Sequence, residues 1–291
     1  MDTNNLFREN AFEVVGTLKS ADVRTGNRKS DGQEYVSVDA VVESSLKGET
    51  NEFEINFFSN KLTREGKENQ LFVSYNKIKD FIGKKVSISG DIRESRFKSI
   101  KTNQMVSSQK LNGRFIRSAA DGTSDKATFT LGGFIVKTPV EKTDKDGNVY
   151  RYDVVLGQSN FKGDNMSMYT LHIDPSDRPI IAGVEGYEIG NTVRLNGDLN
   201  FINKVVTQES EDTSFGSGTV RTFTNRIHNY FIKGGSNPID GDSAYSDEVI
   251  KTLINAYKAR DVELAGIGGD NKPAADKPIA PKPSKKQMSL I

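Results

Sequence analysis

Two stretches, IGKKVSISGDI at residues 82–92 and IGNTVRLNGDL at residues 189–199, decide how the chain is read. Ile82, Gly83, Val86, Ile88, Gly90, Asp91 and Ile92 recur as Ile189, Gly190, Val193, Leu195, Gly197, Asp198 and Leu199 with every spacing kept. Self-similarity over a domain's length marks a duplicated unit. Within each copy apolar residues fall on every second position, the period of a strand with one face in a core. Upstream, Phe12, Val14, Gly16 and Leu18 match Phe129, Leu131, Gly133 and Ile135; downstream, Leu111, Asn112, Phe115, Ile116 and Arg117 match Ile227, His228, Phe231, Ile232 and Lys233. The separation between partners drifts by about ten residues, as loops of unequal length allow.

The pattern predicts an all-β fold in two halves, residues 10–120 and 125–236, followed by an amphipathic helix at 244–262 and a disordered tail at 266–291. In the first half strands are expected near 12–24, 35–46, 49–58, 84–94 and 105–117, with a helix or irregular turn near 70–81. In the second they are expected near 128–137, 149–157, 166–174, 192–199 and 220–233. There Pro175, Pro179 and Gly183 predict an irregular loop where the first half has its helix. Five strands with an extra segment between the third and fourth is the order of an OB barrel. Such a barrel binds oligonucleotides with its strand 2–3 face and its 1–2 and 4–5 loops.

Composition narrows the function. The net charge is +1, so attraction to a polyanion must come from local clusters of Lys and Arg. The chain has no cysteine, which removes disulfides, thiolate nucleophiles and Cys-based zinc sites and fits the cytoplasm. The first ten residues lack a signal-peptide core, and no run approaches the roughly 20 apolar residues of a membrane span. Only His172 and His228 are present, neither in a metal-ligand or nucleophile motif, and no Walker-type loop occurs. Asp144, Asp146 and Gly147 read as a hairpin turn and not as a calcium loop. No catalysis, metal or cofactor is expected.

With these blocks in view, the chain resembles the tandem OB-fold single-stranded DNA-binding proteins of bacteriophages and bacteria. The resemblance covers about residues 10–235 and rests on strand order, the repeated glycine–aspartate block and the tail. It implies sequence-tolerant binding of single-stranded DNA in replication, recombination or repair, within the host cytoplasm if the chain is phage-encoded.

Such binding needs cations for phosphates and exposed rings for bases. Between Lys84 and Arg117 there are nine Lys or Arg and two acidic residues. Arg93, Arg96, Phe97, Lys98, Lys101 and Arg114 are the candidates there. Arg194, Phe201, Lys204, Arg221 and Phe223 are their counterparts in the second half. Tyr35 is expected to face away from the core because Val36, Val38, Ala40 and Val42 take the other face. Phe58, Tyr150, Tyr152 and Tyr169 are further candidate platforms, and for each ring core packing is the competing reading.

Val249, Ile250, Leu253, Ile254 and Tyr257 form one helical stripe, which needs either the second half or a partner protein to cover it. The Pro-rich tail ends in Gln287, Met288, Ser289, Leu290 and Ile291, which looks like a bacterial sliding-clamp-binding pentapeptide, with Gln287, Met288, Leu290 and Ile291 as its contacts. The alternative function is a replisome adaptor that binds the clamp or polymerase without strong DNA affinity.

Overall fold

The computed structural model describes residues 5–99, 102–120, 122–209 and 220–267, with side chains given throughout except at 204–209, 220–225 and 267. The first half comprises β1 (Asn10–Asn27), β2 (Glu34–Leu46), β3 (Glu49–Asn60), α1 (Gln70–Asn76), a 3-10 turn (Ile78–Phe81), β4 (Lys85–Lys98) and β5 (Met105–Ser118). Its strands pair in the order β2–β3–β5–β4–β1, and β1 returns to β2, closing a five-stranded barrel. Alternation drives the closure: Val36, Val38, Ala40 and Val42 of β2 and Phe53, Ile55 and Phe57 of β3 all point inward and are buried. Asn69 caps α1, its Oδ1 accepting from the Leu71 N–H at 3.1 Å. The helix delivers Tyr75, whose hydroxyl donates to the Arg114 carbonyl at 2.8 Å.

The second half comprises β6 (Lys126–Thr143), β7 (Val149–Ser159), β8 (Met166–Ile173), α2 (Arg178–Glu185), β9 (Thr192–Glu209) and β10 (Val220–Gly235). These strands pair β6–β7–β8–β10–β9, and β9 also pairs with β6. The loop expected before β9 is a helix. Pro179 stands in the first turn of α2, where its missing N–H has no intrahelical partner to lose, and Ile181 and Val184 face the core. The turn between β6 and β7 closes on Asp144, whose Oδ1 accepts from the N–H groups of Asp146 and Asn148, both at 2.9 Å.

The repeated glycines have matching reasons. Gly83 and Gly190 sit at φ +79° and +95°, in the left-handed region that favours glycine. A Cβ on Gly90 would overlap the carbonyl of Asn112, and one on Gly197 the carbonyl of Phe231. The same comparison corrects the third block of the repeat. Asp91 lies opposite Asn112, and Asp198 opposite Phe231, so Asn112 corresponds to Phe231 and not to His228. Each half carries a bulge at the same place next to this pair, at Ser89/Gly90 and at Ile232/Gly234.

β1 and β6 join the halves antiparallel with Phe12 opposite Phe129, its own counterpart, as a two-fold relation requires. Beyond the barrel, β4 and β5 extend as an arm against β8: the Met168 N–H donates to Glu94 Oε2 at 3.0 Å and the Tyr169 hydroxyl to the Ile92 carbonyl at 3.1 Å. The arm formed by β9 and β10 reciprocates against β3. There the Phe201 N–H donates to Asn51 Oδ1 at 2.8 Å and the Phe201 ring lies 5.1 Å from Phe53. One continuous core results.

α3 (Asp247–Ile267) begins and ends later than expected. Its stripe of Val249, Ile250, Leu253 and Tyr257 is buried against Phe134 and Met166 of the second half, with Leu6 and Tyr245. Among the described residues no helix is long and apolar enough to cross a membrane.

Candidate functional site

Tyr35 and Phe58 meet on the outer face of the barrel, across the β2–β3 pair. Their rings stack at 5.5 Å with 29° between planes, and Phe58 is 52% exposed. The exposed Phe58 ring and the half-buried Tyr35 ring beside it offer a flat apolar platform on one sheet face. One step further along the same face, Asn56 donates to Asp39, which also pairs with Arg24.

The cations come from β4 and β5. Arg93 Nε and Arg114 Nε each lie 2.9 Å from a different oxygen of Asp91, whose Oδ1 also accepts from Asn112 at 2.8 Å. Burial opposes ionisation of Asp91, but the hydrogen bonds from Arg93, Asn112 and Arg114 outweigh it and hold the carboxyl below its usual range. One carboxylate thus fixes two guanidinium groups that remain more than half exposed. Lys110 follows on the same face of β5, and Arg260 reaches it from α3. Among the described residues neither has a carboxylate partner.

Arg93, Lys110 and Arg260 line a continuous groove. A cavity of about 340 Å³ between Arg93, Lys110, Asn112 and Arg260 shares Asn56, Lys110 and Leu111 with one of about 460 Å³. The latter lies between the two arms, with Gln109 and Lys110 on one side and Phe201 and His228 on the other. It passes through Val41, Glu54 and His228 into a third cavity of about 300 Å³ bounded by Arg226 and Lys19.

Several expected site residues stand elsewhere. Strand alternation leaves Arg93 and Phe97 open to water and turns Glu94, Arg96 and Lys98 toward α3. The Arg96 side chain is 8% exposed, beside Glu94, paired with Asp261 and 3.8 Å over the Tyr257 ring. Lys98 Nζ donates to the Ala265 carbonyl at 3.0 Å, in the last turn of α3, where a cation complements the helix dipole. Both therefore hold the C-terminal helix instead of standing free for phosphate. Tyr169 is 2% exposed, its face in the core and its hydroxyl on Ile92, and burial pushes that hydroxyl up to about 12. Phe201 is 3% exposed beneath His228. Neither ring is open to a base.

In the second half Tyr150 is exposed, while Tyr152 packs partly on the core and hydrogen-bonds Glu141 at 3.3 Å. Arg194 pairs with Glu9 at 2.8 Å. The aromatic pair is not repeated: register places Val149 and Asp174 near the positions of Tyr35 and Phe58. What does recur is a polar pair, Asp153 bonded to His172 at 2.9 Å where the first half has Asp39 and Asn56. Lys101, Gln287, Met288, Leu290 and Ile291 lie outside the described residues, as do the side chains of Lys204, Arg221 and Phe223. Sequence reasoning missed Lys110, Arg260 and His228. Alternation from Arg114 would have found Lys110, whereas the other two need the tertiary fold.

No curated protein matches the sequence. Among solved structures, the single-stranded DNA-binding protein from Thermus aquaticus matches with a TM-score of 0.50 at 12% identity, covering 83% of this chain and 98% of that one. A deletion mutant of the Thermus aquaticus protein matches with a TM-score of 0.47 at 11% identity, over the same shares of each chain. At such identity the likeness is one of fold. The YorF family model matches residues 8–265, the greater part of the sequence, and the chain belongs to the YorF family.

Proposed function

We propose that the chain binds single-stranded DNA without sequence preference, through two consecutive OB-type barrels of which the first carries most of the contact. The observation that carries this reading is the Tyr35–Phe58 stack, with Phe58 exposed, on the strand 2–3 face, the face OB barrels use for oligonucleotides. Arg93, Arg114 and Lys110 stand on β4 and β5 of the same barrel for phosphates, and sequence-tolerant binding needs both rings and cations. The fold shared with a single-strand binder of Thermus aquaticus supports it.

On this reading the protein is a non-catalytic module that coats or holds single strands during replication, recombination or repair in the cytoplasm. The tail motif from Gln287 to Ile291 would recruit a replication partner such as the sliding clamp. Titration of fluorescent oligo-dT at two salt concentrations tests the reading. Binding should be measurable at low salt and weaken as salt rises, because bound phosphates release counterions. No binding at low salt would overturn it.

A further inference from the structure

Resting on that reading, we infer that His228 is a second base-stacking platform, placed in the groove between the arms and supplied by the second half to a strand bound on the first. Its ring lies on Phe201 at 4.2 Å between centroids and 8° between planes, nearly parallel. Phe201 is packed in turn against Phe53 at 5.1 Å and Tyr230 at 5.4 Å. The imidazole therefore rests on a pedestal fixed in the core, with one face covered by a ring and the other toward the groove. A flat ring held on one side and open on the other suits a nucleobase.

The surroundings fit the same ligand. Lys110 and Arg260 stand on one side of His228 along the groove; on the other stand Arg226 and Lys19, the latter paired with Glu43, beside Glu52 and Glu54. Among the described residues, a polyanion crossing the groove thus meets its unpaired cations on the Lys110 side. Arg226 is paired with Glu54. Burial lowers the affinity of His228 for a proton, Glu54 raises it and Arg226 lowers it, with a net shift downward. The ring is consequently a neutral aromatic near pH 7, free of the strongly held water of a cation. The residue at the matching register position of the first half is Gln109, which lines the groove from the opposite arm and carries no ring. The platform is thus a property of the pair of halves and not of each repeat.

His172 and His228 are the only two histidines, so the imidazole proton resonances of the full chain can be followed by NMR during titration with oligo-dT. The His228 ring protons should move upfield as the oligonucleotide saturates, while those of buried His172 stay in place. His228→Gln, which keeps Phe201 covered but removes the ring, should weaken oligo-dT binding about five- to tenfold, and His228→Phe should restore it. A wild type that binds with its His228 signals unmoved and His228→Gln unimpaired would overturn the inference and leave the proposed function standing. Failure of His228→Phe to restore a lost affinity would also overturn it, by showing that charge and not stacking is at work. No binding by the wild type at low salt would overturn both.

Discussion

Arg96→Ala should destabilise the protein, although the sequence presents Arg96 as a phosphate contact on a basic loop. The side chain is 8% exposed and Glu94 beside it 2% exposed, so the substitution leaves a carboxylate in the interior without its cation. Removing one partner of a buried pair costs about 3–5 kcal/mol. Glu94 keeps hydrogen bonds from the Tyr257 hydroxyl at 2.6 Å, the Ser107 hydroxyl at 2.8 Å and the Met168 N–H at 3.0 Å, which argues for the lower end. The desolvated contact of the guanidinium with the Tyr257 ring, worth up to about 2 kcal/mol, is lost as well and is contained in the same figure. A loss of about 3 kcal/mol corresponds to a fall in Tm of about 6–12 °C for a unit of this size. Thermal unfolding by circular dichroism measures it, and hydrogen exchange should show amides of α3 (Asp247–Ile267) opening before the strands. Unchanged Tm and α3 protection, together with a loss of oligonucleotide affinity, would refute the reasoning and return Arg96 to the DNA-contact role.

Further outcomes follow from the same geometry. Tyr35→Ala and Phe58→Ala should each lower oligo-dT affinity about 5- to 150-fold by fluorescence anisotropy, with little change in Tm for the exposed Phe58. Lys110→Ala should reduce the slope of log affinity against log salt by about 0.7, the value for one phosphate of a single strand. Gly90→Ala and Gly197→Ala should each lower stability by at least about 1–3 kcal/mol in denaturant titrations, because the new Cβ meets a backbone carbonyl in both halves. Burial holds the folded pKa of His172 below its unfolded value, and Arg151 adds to the shift while Asp153 opposes it. Its contribution to stability is therefore present above about pH 6.5 and lost as pH falls below that, and an NMR titration should find its midpoint below 6.5.

The parts of the fold legible in the sequence are those with a local physical cause. Gly83 and Gly190 need a positive φ, Gly90 and Gly197 a close backbone approach, and both needs survive duplication, which is why this block aligns without gaps. The alternation of Val36, Val38, Ala40 and Val42 likewise fixed which way Tyr35 faces. The third repeat block slips by three residues because Leu111–Arg117 and Ile227–Lys233 agree in residue type at an offset that their pairing with β4 and β9 does not share. β5 and β10 match their expected spans, whereas β4 and β9 run on to Lys98 and Glu209, past the expected ends at 94 and 199, because regular apolar alternation gives way there and pairing with β5 and β10 carries the strands on.

The candidate site divides in the same way. Arg93 and Arg96 look alike in a list of cations, and only alternation separates them: odd positions of this arm meet water, even ones meet α3. Tyr169 and Phe201 were misplaced because each lies in the core shared between the halves, under Ile92 and His228 respectively. Lys110, Arg260 and His228 converge on one groove from β5, α3 and β10, a convergence that exists only once the halves embrace.

The most direct test of single-strand binding on the first barrel is photocrosslinking of the full chain to an oligonucleotide carrying 5-iododeoxyuridine, with the attached residues identified by peptide mass spectrometry. Crosslinks at Tyr35 and Phe58, lost in excess unlabelled oligo-dT, are the expected result. Attachment confined to the outer face of β7 and β8, or none in a mixture where the protein is folded and in excess, would contradict the account.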